Sequence, residues 1–400
     1  MAKLLLISNG HGEDVSGSLL GVELKSKGHS VASFPLVGKG LSYEKVGIKV
    51  HGFKKEFSTG GLGYTSLIGR LTDLFEGQLS YLFSSAVRLL FISRKYDFLI
   101  VIGDILPLLV AWLTSKKYFV YLVAYSSHYE GKLIMPWPSL TCLKSKRALN
   151  IFTRDQLTSR DLSNQLKRSV LFLGNPFMDS ALSPKKKLNK KSFRLGILPG
   201  SRSPELGRNI KMIIRVLENM PENILLDINI SFDMALVDSL SKEELLDLVY
   251  KDGWNVRNSR FNINSFILVK GSCEIVVHRN SFSELLQSSD LFLCMAGTAA
   301  EQAIGIAKPV IQLPGNGPQF TDTFAEAQRR LLGPTIFCVK EKFIHKSTLY
   351  IETVNLILGI RERYIKDYNF RNLCKKEASL RLGLQGGTKR IVQSINDLIL

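Results

Sequence analysis

The strongest constraint on the fold is a repeated pattern of short apolar runs, each ending near Gly, Asn, Asp or Ser and followed by a helix-length amphipathic stretch. The first part of the chain contains KLLLIS, FLIVIG, YFVYLVA, LNIFT and SVLFLG, and the second part contains FRLGILPG, NILLDINI, FILVKG, LFLCMAG and PVIQLP. Strands that are apolar along their whole length are typical of parallel sheets covered by helices on both faces. The pattern therefore predicts an α/β protein with doubly wound parallel sheets.

A polar, cationic stretch separates the two sets of strands. SPKKKLNKKS, at residues 183–192, has no apolar periodicity and is typical of an exposed linker. A chain of 400 residues is long enough for two domains with separate cores. We therefore predict one α/β domain over residues 1–182 and a second that begins at residue 192.

The charge of the chain favours an anionic partner. Lysine and arginine total 53 against 35 acidic residues, which gives a formal net charge of +18. Nucleic acid, an anionic membrane or phosphorylated substrates would all suit this surplus, and a merely basic surface would also produce it. A nucleic-acid-binding module should carry basic residues among aromatic ones on one face, whereas here they are scattered and concentrated in the linker. We therefore expect no nucleic-acid partner.

Several features indicate a cytoplasmic protein without a transmembrane span. The start, MAKLLLISNGHGED, lacks the features of a signal peptide, and FLIVIGDILPLLVAWL at residues 98–113 is too short and too interrupted to cross a bilayer. The cysteines are widely spaced and mostly in apolar surroundings, as expected of buried thiols in a reducing compartment. No spacing of residues suggests a metal site. The cysteines are Cys142, Cys273, Cys294, Cys338 and Cys374.

Two loops in the second half are candidates for ligand binding, because open parallel sheets bind ligands at the carboxyl ends of their strands. In the first, LGILPGSRSPEL, a strand leads into a helix through Gly200, Ser201 and Arg202, with Glu205 near the helix start. Glycine allows close approach of the backbone, and the arginine fork suits a diphosphate. A helix-capping turn with an exposed arginine would have the same sequence.

The second loop, CMAGTAAEQAIG, places small residues at a turn and a carboxylate just inside the next helix. Amides at Gly297 and Thr298 could hold phosphates while Glu301, which we expect in the first helical turn, accepts the ribose hydroxyls. Glu301 could instead only favour the helix dipole. The next loop, PGNGPQF, adds Asn316 and Gln319, whose amides could reach a bound sugar. Three such loops in this order indicate nucleotide binding, and the absence of GxGxxG and GxxxxGK[ST] argues against dinucleotide cofactors and P-loop chemistry.

With these motifs the sequence resembles lipid-A-disaccharide synthase and its relatives, which are inverting glycosyltransferases of the GT-B fold. The resemblance rests on GEDVSG after the first strand, LGNPFMD, LPGSRSPE and AGTAAEQAIGIAKPVIQLP, and it runs across nearly the whole chain. It implies two Rossmann-like domains facing a central cleft, a UDP-sugar donor and no metal or other cofactor. The stretch LGLQGGTKRIVQSI resembles the helix that crosses back to the N-terminal domain. We therefore assign residues 1–182 to acceptor binding, 192–370 to the UDP-sugar and 371–400 to the returning segment.

The resemblance also assigns roles to particular residues. Residues 200–202 match the family's diphosphate-contacting loop, and the turn that begins at Gly297 matches its nucleotide-binding turn, with Glu301 on the ribose. Gly174 and Asn175 match a G-H-P element at the domain junction, with asparagine in place of histidine.

The sequence departs from the family pattern in the half expected to bind the acceptor. The family's G-E-A-S-G-D becomes GEDVSGS at residues 12–18, and its S-P-x-x-W-A-W segment is replaced by AYSSHYEGKLIMPWPSL at residues 124–140. A paralogue with a different acceptor is therefore an alternative.

An inverting transfer needs a base that removes the proton of the acceptor hydroxyl. Asp104 follows the strand FLIVIG and matches an aspartate that the family implicates in catalysis. His11, in NGHGED, has an ordinary pKa suited to a base, although a turn histidine bonded to the backbone would have the same sequence. Glu13 and Asp14 could also serve, or could cap the first helix.

The leading hypothesis is a peripheral membrane glycosyltransferase that moves an N-acetylglucosamine-like sugar from UDP to a lipid-linked acceptor. Residues 64–96 are long, apolar and carry arginines, which suits contact with an anionic membrane, although core helices would have a similar sequence. The alternative enzyme is similar to UDP-sugar 2-epimerases, whose chemistry usually draws on more acidic residues and histidines than the N-terminal half offers.

Overall fold

A computed structural model of the chain describes residues 1–52, 78–129, 131–181, 192–201, 204–227, 229–258, 265–315, 322–339 and 346–399. The chain divides into two compact units, the first made of Met1–Asp179 with Gly383–Leu400 and the second of Ser180–Leu382. Among the helices of the described ranges, none combines the length and the apolar character that crossing a bilayer requires.

The first unit contains a six-stranded sheet in the order β3-β2-β1-β4-β5-β6, with every pair of neighbours parallel. The order reverses direction between β1 and β4, as it does in doubly wound folds. The strands are β1 (Lys3–Ser8), β2 (Ser30–Pro35), β3 (Lys49–Val50), β4 (Phe98–Ile102), β5 (Lys117–Leu122) and β6 (Ala148–Thr153).

Helices cover both faces of this sheet, which explains why its strands are apolar throughout. Leu5 and Ile7 lie in one core, whereas Leu4 and Leu6 lie in another on the opposite face, because successive side chains of a strand point to opposite sides. The helices are α1 (His11–Ser26), α2 (Leu41–Glu44), α3 (Gln78–Ser93), α4 (Ile105–Leu113), α5 (Ser139–Lys144), α6 (Gln156–Leu166), α7 (Phe177–Ala181) and α16 (Gly387–Ile399).

The helix α16 belongs to the first unit although it is far from it in sequence. Its side chains Ile391, Val392 and Ile395 are fully buried in the core that also holds Leu4 and Leu6. The carboxylate of Asp179 accepts hydrogen bonds from the amides of Gly386 and Thr388, at 2.5 and 2.8 Å, and so caps the start of α16.

The second unit contains an eight-stranded sheet in the order β14-β13-β12-β7-β8-β11-β10-β9. Its pairs are parallel except for β11-β10-β9, which are antiparallel. The strands are β7 (Phe193–Leu198), β8 (Ile230–Leu236), β9 (Asn255–Asn258), β10 (Ser265–Lys270), β11 (Cys273–Arg279), β12 (Leu291–Cys294), β13 (Val310–Gln312) and β14 (Ile336–Cys338). The predicted doubly wound architecture is confirmed, with an added antiparallel edge. Two of the predicted strand runs are not strands, because NILLDINI overlaps a short helix, Glu222–Leu225, and meets β8 only at Ile230, and SVLFLG forms a single isolated bridge at Leu171.

Helices again cover both faces of the second sheet. One core brings together the apolar side of α8, including Ile210, Ile213 and Leu217, with strand residues such as Leu195 and Ile197. The helices are α8 (Glu205–Glu218), α9 (Glu222–Leu225), α10 (Lys242–Val249), α11 (Phe282–Ser288), α12 (Gly297–Gly305), α13 (Asp322–Leu332), α14 (Lys346–Lys366) and α15 (Tyr368–Arg381).

The helix α15 packs inside the second unit, although the sequence assignment places most of it in the returning segment 371–400. Phe370 contacts Phe337 with ring centroids 6.3 Å apart, and the guanidinium of Arg381 donates to the carbonyls of Arg330 and Leu331, each at 2.7 Å. Of the assigned returning segment, only Gly383–Leu400 belongs to the first unit.

All five cysteines carry free thiols. Four are buried and Cys338 is half-buried.

Candidate functional site

Two loops meet in the first unit at the point where the strand order reverses. The loop after β1 contains Asn9, whose side-chain amide donates to Asp104 Oδ2, after β4, at 3.0 Å. Gly103 has a left-handed φ of 131°, and a β-carbon there would lie 3.0 Å from the Cγ of Glu13. The structure therefore brings together Asp104 and Glu13, both predicted from the sequence. The side chain of His11 lies outside the described residues.

Asp104 is held on both sides of its carboxylate. Its Oδ1 accepts a hydrogen bond from the amide of Leu106 at 3.0 Å and so caps α4, while its Oδ2 accepts from Asn9. Burial raises the pKa of Asp104 above its ordinary value. The carboxylate has a fixed orientation and a structural task as a helix cap.

Glu13 lies in the first turn of α1 and is the more suitable base of the two. Burial, and to a smaller extent the negative charge of Asp104, raise its pKa, whereas a hydrogen bond with its own backbone and the positive charge of Arg154 lower it, and the resulting pKa is about 7. A carboxylate whose pKa lies near neutrality can hold the proton that it removes from a substrate and release it again.

Arg154, which follows β6, is a member of this group that the sequence analysis missed. It is buried, with 6% of its surface exposed, and its Nη1 donates to the carbonyl of Val123 at 3.2 Å. The available signal was a charged residue directly after the apolar run LNIFT, as with Asp104 after FLIVIG.

Asp14 lies behind Glu13 and ties the end of β1 to α1. Its Oδ1 accepts from the hydroxyl of Ser8 at 2.6 Å, and Ser8 in turn accepts from the hydroxyl of Tyr43 at 3.0 Å. Burial raises the pKa of Asp14 to about 7. A β-carbon at Gly17 would lie 2.0 Å from the Tyr43 hydroxyl, so only glycine leaves room for this network. These bonds assign Asp14 a structural role.

Gly174 and Asn175 lie in the first unit beside the segment that leads into α16. Asn175 is buried, with 1% exposed, and its Oδ1 accepts from the amide of Phe177 at 3.1 Å and the hydroxyl of Tyr121 at 3.3 Å. A β-carbon at Gly174 would lie 2.8 Å from the carbonyl oxygen of Leu384. Asn175 therefore fixes the start of α7, and Gly174 leaves room for the segment before α16. Contact of either residue with a sugar nucleotide stays a prediction.

The second unit also brings two predicted loops together where its strand order reverses, between β7 and β12. Gly200, two residues after the end of β7, has a φ of 103°, and a β-carbon there would lie 3.1 Å from the carbonyl oxygen of Met295. The amide of Met295 donates to the carbonyl of Leu198 at 2.8 Å. The predicted diphosphate loop and the predicted nucleotide turn therefore lie side by side at the carboxyl ends of two parallel strands.

The helix α12 begins at this turn with a pattern that suits an anion. Gly297 is its first residue, Thr298 next to it is exposed, and Ala296 at the N-cap supplies no side-chain hydrogen bond. The first amides of a helix have no partner within the helix, and they carry its positive dipole end. Amides of this kind, next to the close-packed loop at Gly200, are suited to phosphate oxygens.

The sequence-based position of Glu301 needs a correction. Glu301 is the fifth residue of α12, and the first turn of this helix contains no acidic residue. The prediction was wrong because it started the helix too late. The interaction of a carboxylate with the helix dipole falls off within the first turn. Stabilisation of the helix dipole therefore does not explain a glutamate at position 301. Glu301 is half-buried one turn below the amides, and its contact with ribose stays a prediction.

The other predicted residues of this site are less informative. Ser201 is exposed. Glu205, the first residue of α8, forms an ion pair with Arg208 on the same helix, with 4.0 Å between Glu205 Oε1 and Arg208 Nη2. Arg202, Asn316 and Gln319 lie outside the described residues.

Asn209, within α8, is a further residue that the sequence analysis missed. It is buried, with 3% exposed, and its side-chain amide donates to the carbonyl of Pro199 at 2.8 Å. The bond fixes the loop between β7 and α8. Nothing in the sequence distinguishes Asn209 from an ordinary polar helix residue.

Solved structures share this architecture over the whole length of the chain, although no protein-family model and no curated protein matches it. UDP-GlcNAc 2-epimerase from Neisseria meningitidis, bound to UDP-GlcNAc, is 16% identical with a TM-score of 0.53 and covers 99% of this chain and 100% of its own. MnaA from S. aureus, in a co-structure with UDP, is 14% identical with a TM-score of 0.54, and the alignment covers 100% of this chain and 97% of MnaA. MurG from Acinetobacter baumannii is 13% identical with a TM-score of 0.55, and the alignment covers 99% of this chain and 100% of MurG.

These likenesses, together with the two doubly wound sheets, define the class of the protein as two-domain, Rossmann-like α/β. More particularly, the chain has the GT-B fold.

Proposed function

We propose that the protein is a UDP-sugar-dependent glycosyltransferase, which moves an N-acetylglucosamine-like sugar to a lipid-linked acceptor. The observation that carries the proposal is the contact between the Gly200 loop and the turn before α12, at the strand-order reversal of the second unit. Two structural neighbours with a similar fold were solved with UDP-GlcNAc and with UDP, which supports the choice of nucleotide.

In this proposal the second unit binds the donor. The amides at the start of α12 and the Gly200 loop hold the diphosphate, with Arg202 as the cationic partner, and Glu301 accepts the ribose hydroxyls. These groups would also stabilise the negative charge that develops on UDP as it departs, so the proposed reaction needs no metal.

The first unit supplies the base. Glu13 takes the proton of the acceptor hydroxyl while the acceptor oxygen forms a bond to the anomeric carbon and the bond to UDP breaks, which inverts the configuration at that carbon. Asp104 and Arg154 act on Glu13 through their charges, which oppose each other. Among the candidates from the sequence, our proposal therefore takes Glu13 as the base rather than Asp104, the residue that matches the family's aspartate.

A lipid-linked acceptor is supported by the surface of α3. Phe83, Val87 and Phe91 are exposed at intervals of four residues and so form an apolar stripe on one side of the helix, with Phe83 73% and Phe91 61% exposed. Arg88 is exposed beside them. An apolar stripe with basic residues suits peripheral association with an anionic membrane, on the cytoplasmic side in our proposal. Residues 64–77 of the predicted membrane region lie outside the described residues.

A UDP-sugar 2-epimerase is the second candidate, because several structural neighbours have that activity in their names. The two activities differ in what they need. A transferase should release UDP from UDP-N-acetylglucosamine only when a lipid extract is present, whereas an epimerase should change the configuration at C2 of the sugar without any acceptor. Product analysis with and without the extract separates the two.

The nucleotide site is tested by calorimetry with UDP. Glu301→Ala should weaken binding by about 1.5–3 kcal/mol, the value of a hydrogen bond to a charged group. Glu243→Ala, which removes an exposed carboxylate from α10 in the same unit, is the matched control and should leave the affinity unchanged. Equal affinities in the two variants would refute the assignment of Glu301.

A further inference from the structure

The segment between β5 and α5, residues 125–138, takes the place of a family motif that this sequence lacks, and we call it the strap. Its residues other than 130 are described, and they form no helix or strand. Two of its apolar side chains face solvent almost completely, Ile134 with 77% and Trp137 with 90% exposed. No other tryptophan of the chain is comparably exposed, since Trp254 is fully buried and Trp112 half-buried.

Hydrogen bonds hold the first part of the strap against α6. The hydroxyl of Ser126 donates to Asp155 Oδ2 at 2.7 Å, and that of Ser127 donates to Asp161 Oδ2 at 2.9 Å. The amide of Ser127 donates to the hydroxyl of Thr158 at 2.8 Å. Both serines are buried, with 2% or less exposed. Buried and fully bonded polar groups of this kind fix a backbone in one conformation.

The second part of the strap is fixed by the core. Leu133 and Met135 are each 7% exposed and belong to the same core as the buried residues of α3, α4 and α5. The side-chain amide of Gln165, at the end of α6, donates to the carbonyl of Leu133 at 2.9 Å. Since the neighbours of Ile134 on both sides point inward, Ile134 is directed outward.

The exposure of Ile134 and Trp137 is therefore built into the strap. Single exposed apolar residues are common on protein surfaces and need no explanation. Two large ones, three residues apart on a segment that is anchored at Ser127, Leu133 and Met135, are better explained by a partner that covers them.

The charges around the strap identify the kind of partner. Residues 125–154 contain five basic residues and one acidic residue, Glu130. Lys132, Lys144 and Lys146 among them are exposed. Tryptophan prefers the boundary between lipid headgroups and acyl chains, and lysines beside it would meet anionic headgroups. An anionic bilayer matches both features.

The strap also reaches the proposed acceptor site. The hydroxyl of Tyr125, its first residue, accepts a hydrogen bond from the amide of Ile105 at 3.2 Å, next to Asp104. A lipid-linked acceptor that has its polar head at this site could follow the strap with its tail toward Ile134 and Trp137.

We propose that the strap inserts Ile134 and Trp137 into the interface of an anionic bilayer and so aligns the lipid tail of the acceptor with the first unit. The proposal rests on the proposed function, because it takes the acceptor to be lipid-linked. It adds a named insertion element that is separate in sequence from the stripe on α3.

The test uses the fluorescence of Trp137 in the full chain. With vesicles of phosphatidylcholine and phosphatidylglycerol, the emission should shift to shorter wavelength, and lipids brominated in their acyl chains should quench it. The difference between wild type and Trp137→Phe isolates this residue from Trp112 and Trp254. Absence of both effects would overturn the proposal.

A sedimentation assay with the same vesicles measures the contribution to binding. The double variant Ile134→Ser, Trp137→Ser should partition about tenfold or more weakly, since it loses two apolar side chains that insertion would bury in the bilayer. Leu226→Ser, which removes a side chain that is 63% exposed in the second unit, should bind vesicles as wild type does. Equal vesicle binding of the double variant and the control would contradict insertion. In the fluorescence experiment, insertion would also be contradicted if a protein partner shielded Trp137 and vesicles did not.

Calorimetry with UDP distinguishes the failure of this proposal from the failure of the proposed function. The double variant should bind UDP as wild type does, because the strap lies in the first unit and the proposed nucleotide site in the second. If wild type binds no UDP, the proposed function fails, whatever the vesicles show. If wild type binds UDP and glycosylates a detergent-solubilised lipid acceptor, yet Trp137 does not enter vesicles, only the strap proposal fails.

Discussion

Turnover should depend steeply on pH between 6 and 8 because Glu13 titrates there. The pKa of Glu13 is raised to about 7, so its basic form is a minor species at pH 6 and the dominant one at pH 8. If Glu13 is the base, kcat/KM should rise about tenfold over this range, in proportion to the ionised fraction. A glutamate with its ordinary pKa of about 4.3 would be ionised throughout and would give a flat profile.

Replacement of Glu13 by glutamine should remove this dependence together with most of the activity. The loss of a general base lowers turnover by about 10²- to 10⁴-fold, while UDP affinity should stay the same because the second unit binds the nucleotide. Asp104→Asn is the informative comparison. Removal of the Asp104 charge lowers the pKa of Glu13, so the acid limb of the profile should move to lower pH while substantial turnover remains.

The assay is UDP release from UDP-N-acetylglucosamine with lipid extract, measured from pH 5.5 to pH 8.5 at subsaturating donor. A flat profile in wild type, with near-normal turnover of Glu13→Gln, would refute the role of Glu13. If Asp104→Asn alone abolished turnover at every pH, Asp104 would be the base after all.

Two further predictions concern residues that support the sites. The pKa of Asp14 is about 7 in the folded protein against an ordinary value of 3.8, so its contribution to stability is fully present below pH 3.8 and is lost as the pH rises from there to about 7, by up to about 1.4 kcal/mol per pH unit. The free energy of unfolding, measured with urea, should therefore fall less between pH 5 and pH 8 in Asp14→Asn than in wild type. Identical falls in the two proteins would contradict the raised pKa of Asp14. Asn209→Ala should weaken UDP binding severalfold because it frees the loop after β7, whereas Asn219→Ala, an exposed residue at the end of the same helix, should have no effect on calorimetric affinity.

The doubly wound fold was predictable because a strand of a parallel sheet is buried on both faces and is therefore apolar along its whole length. The antiparallel edge was not foreseen, because only β10 of its strands is an apolar run, whereas β9 and β11 contain polar and charged residues. The signal for it was the short turn at Gly271 and Ser272, across which Lys270 pairs with Cys273. A two-residue connection can only join antiparallel strands.

The candidate sites could be predicted as far as topology determines them. Loops such as those at Gly200 and Gly297 must come to one edge once the strand order is given. The choice between Glu13 and Asp104 depended on burial and on neighbours distant in sequence, which no local pattern reports. The same holds for Asn209, whose importance comes from one hydrogen bond to a loop that precedes its helix.

The position of α16 has a consequence for the order in which the protein folds during synthesis. The second unit is continuous in sequence, so all of its residues have emerged from the ribosome once Leu382 has. The first unit, although translated first, must wait for Ile391, Val392 and Ile395 to fill its core. Until then a nascent chain would expose Leu4, Leu6 and Phe119 to solvent or to a chaperone. We therefore expect a fragment that ends near residue 182 to aggregate when expressed alone, and co-expression with a peptide of residues 383–400 to rescue its solubility.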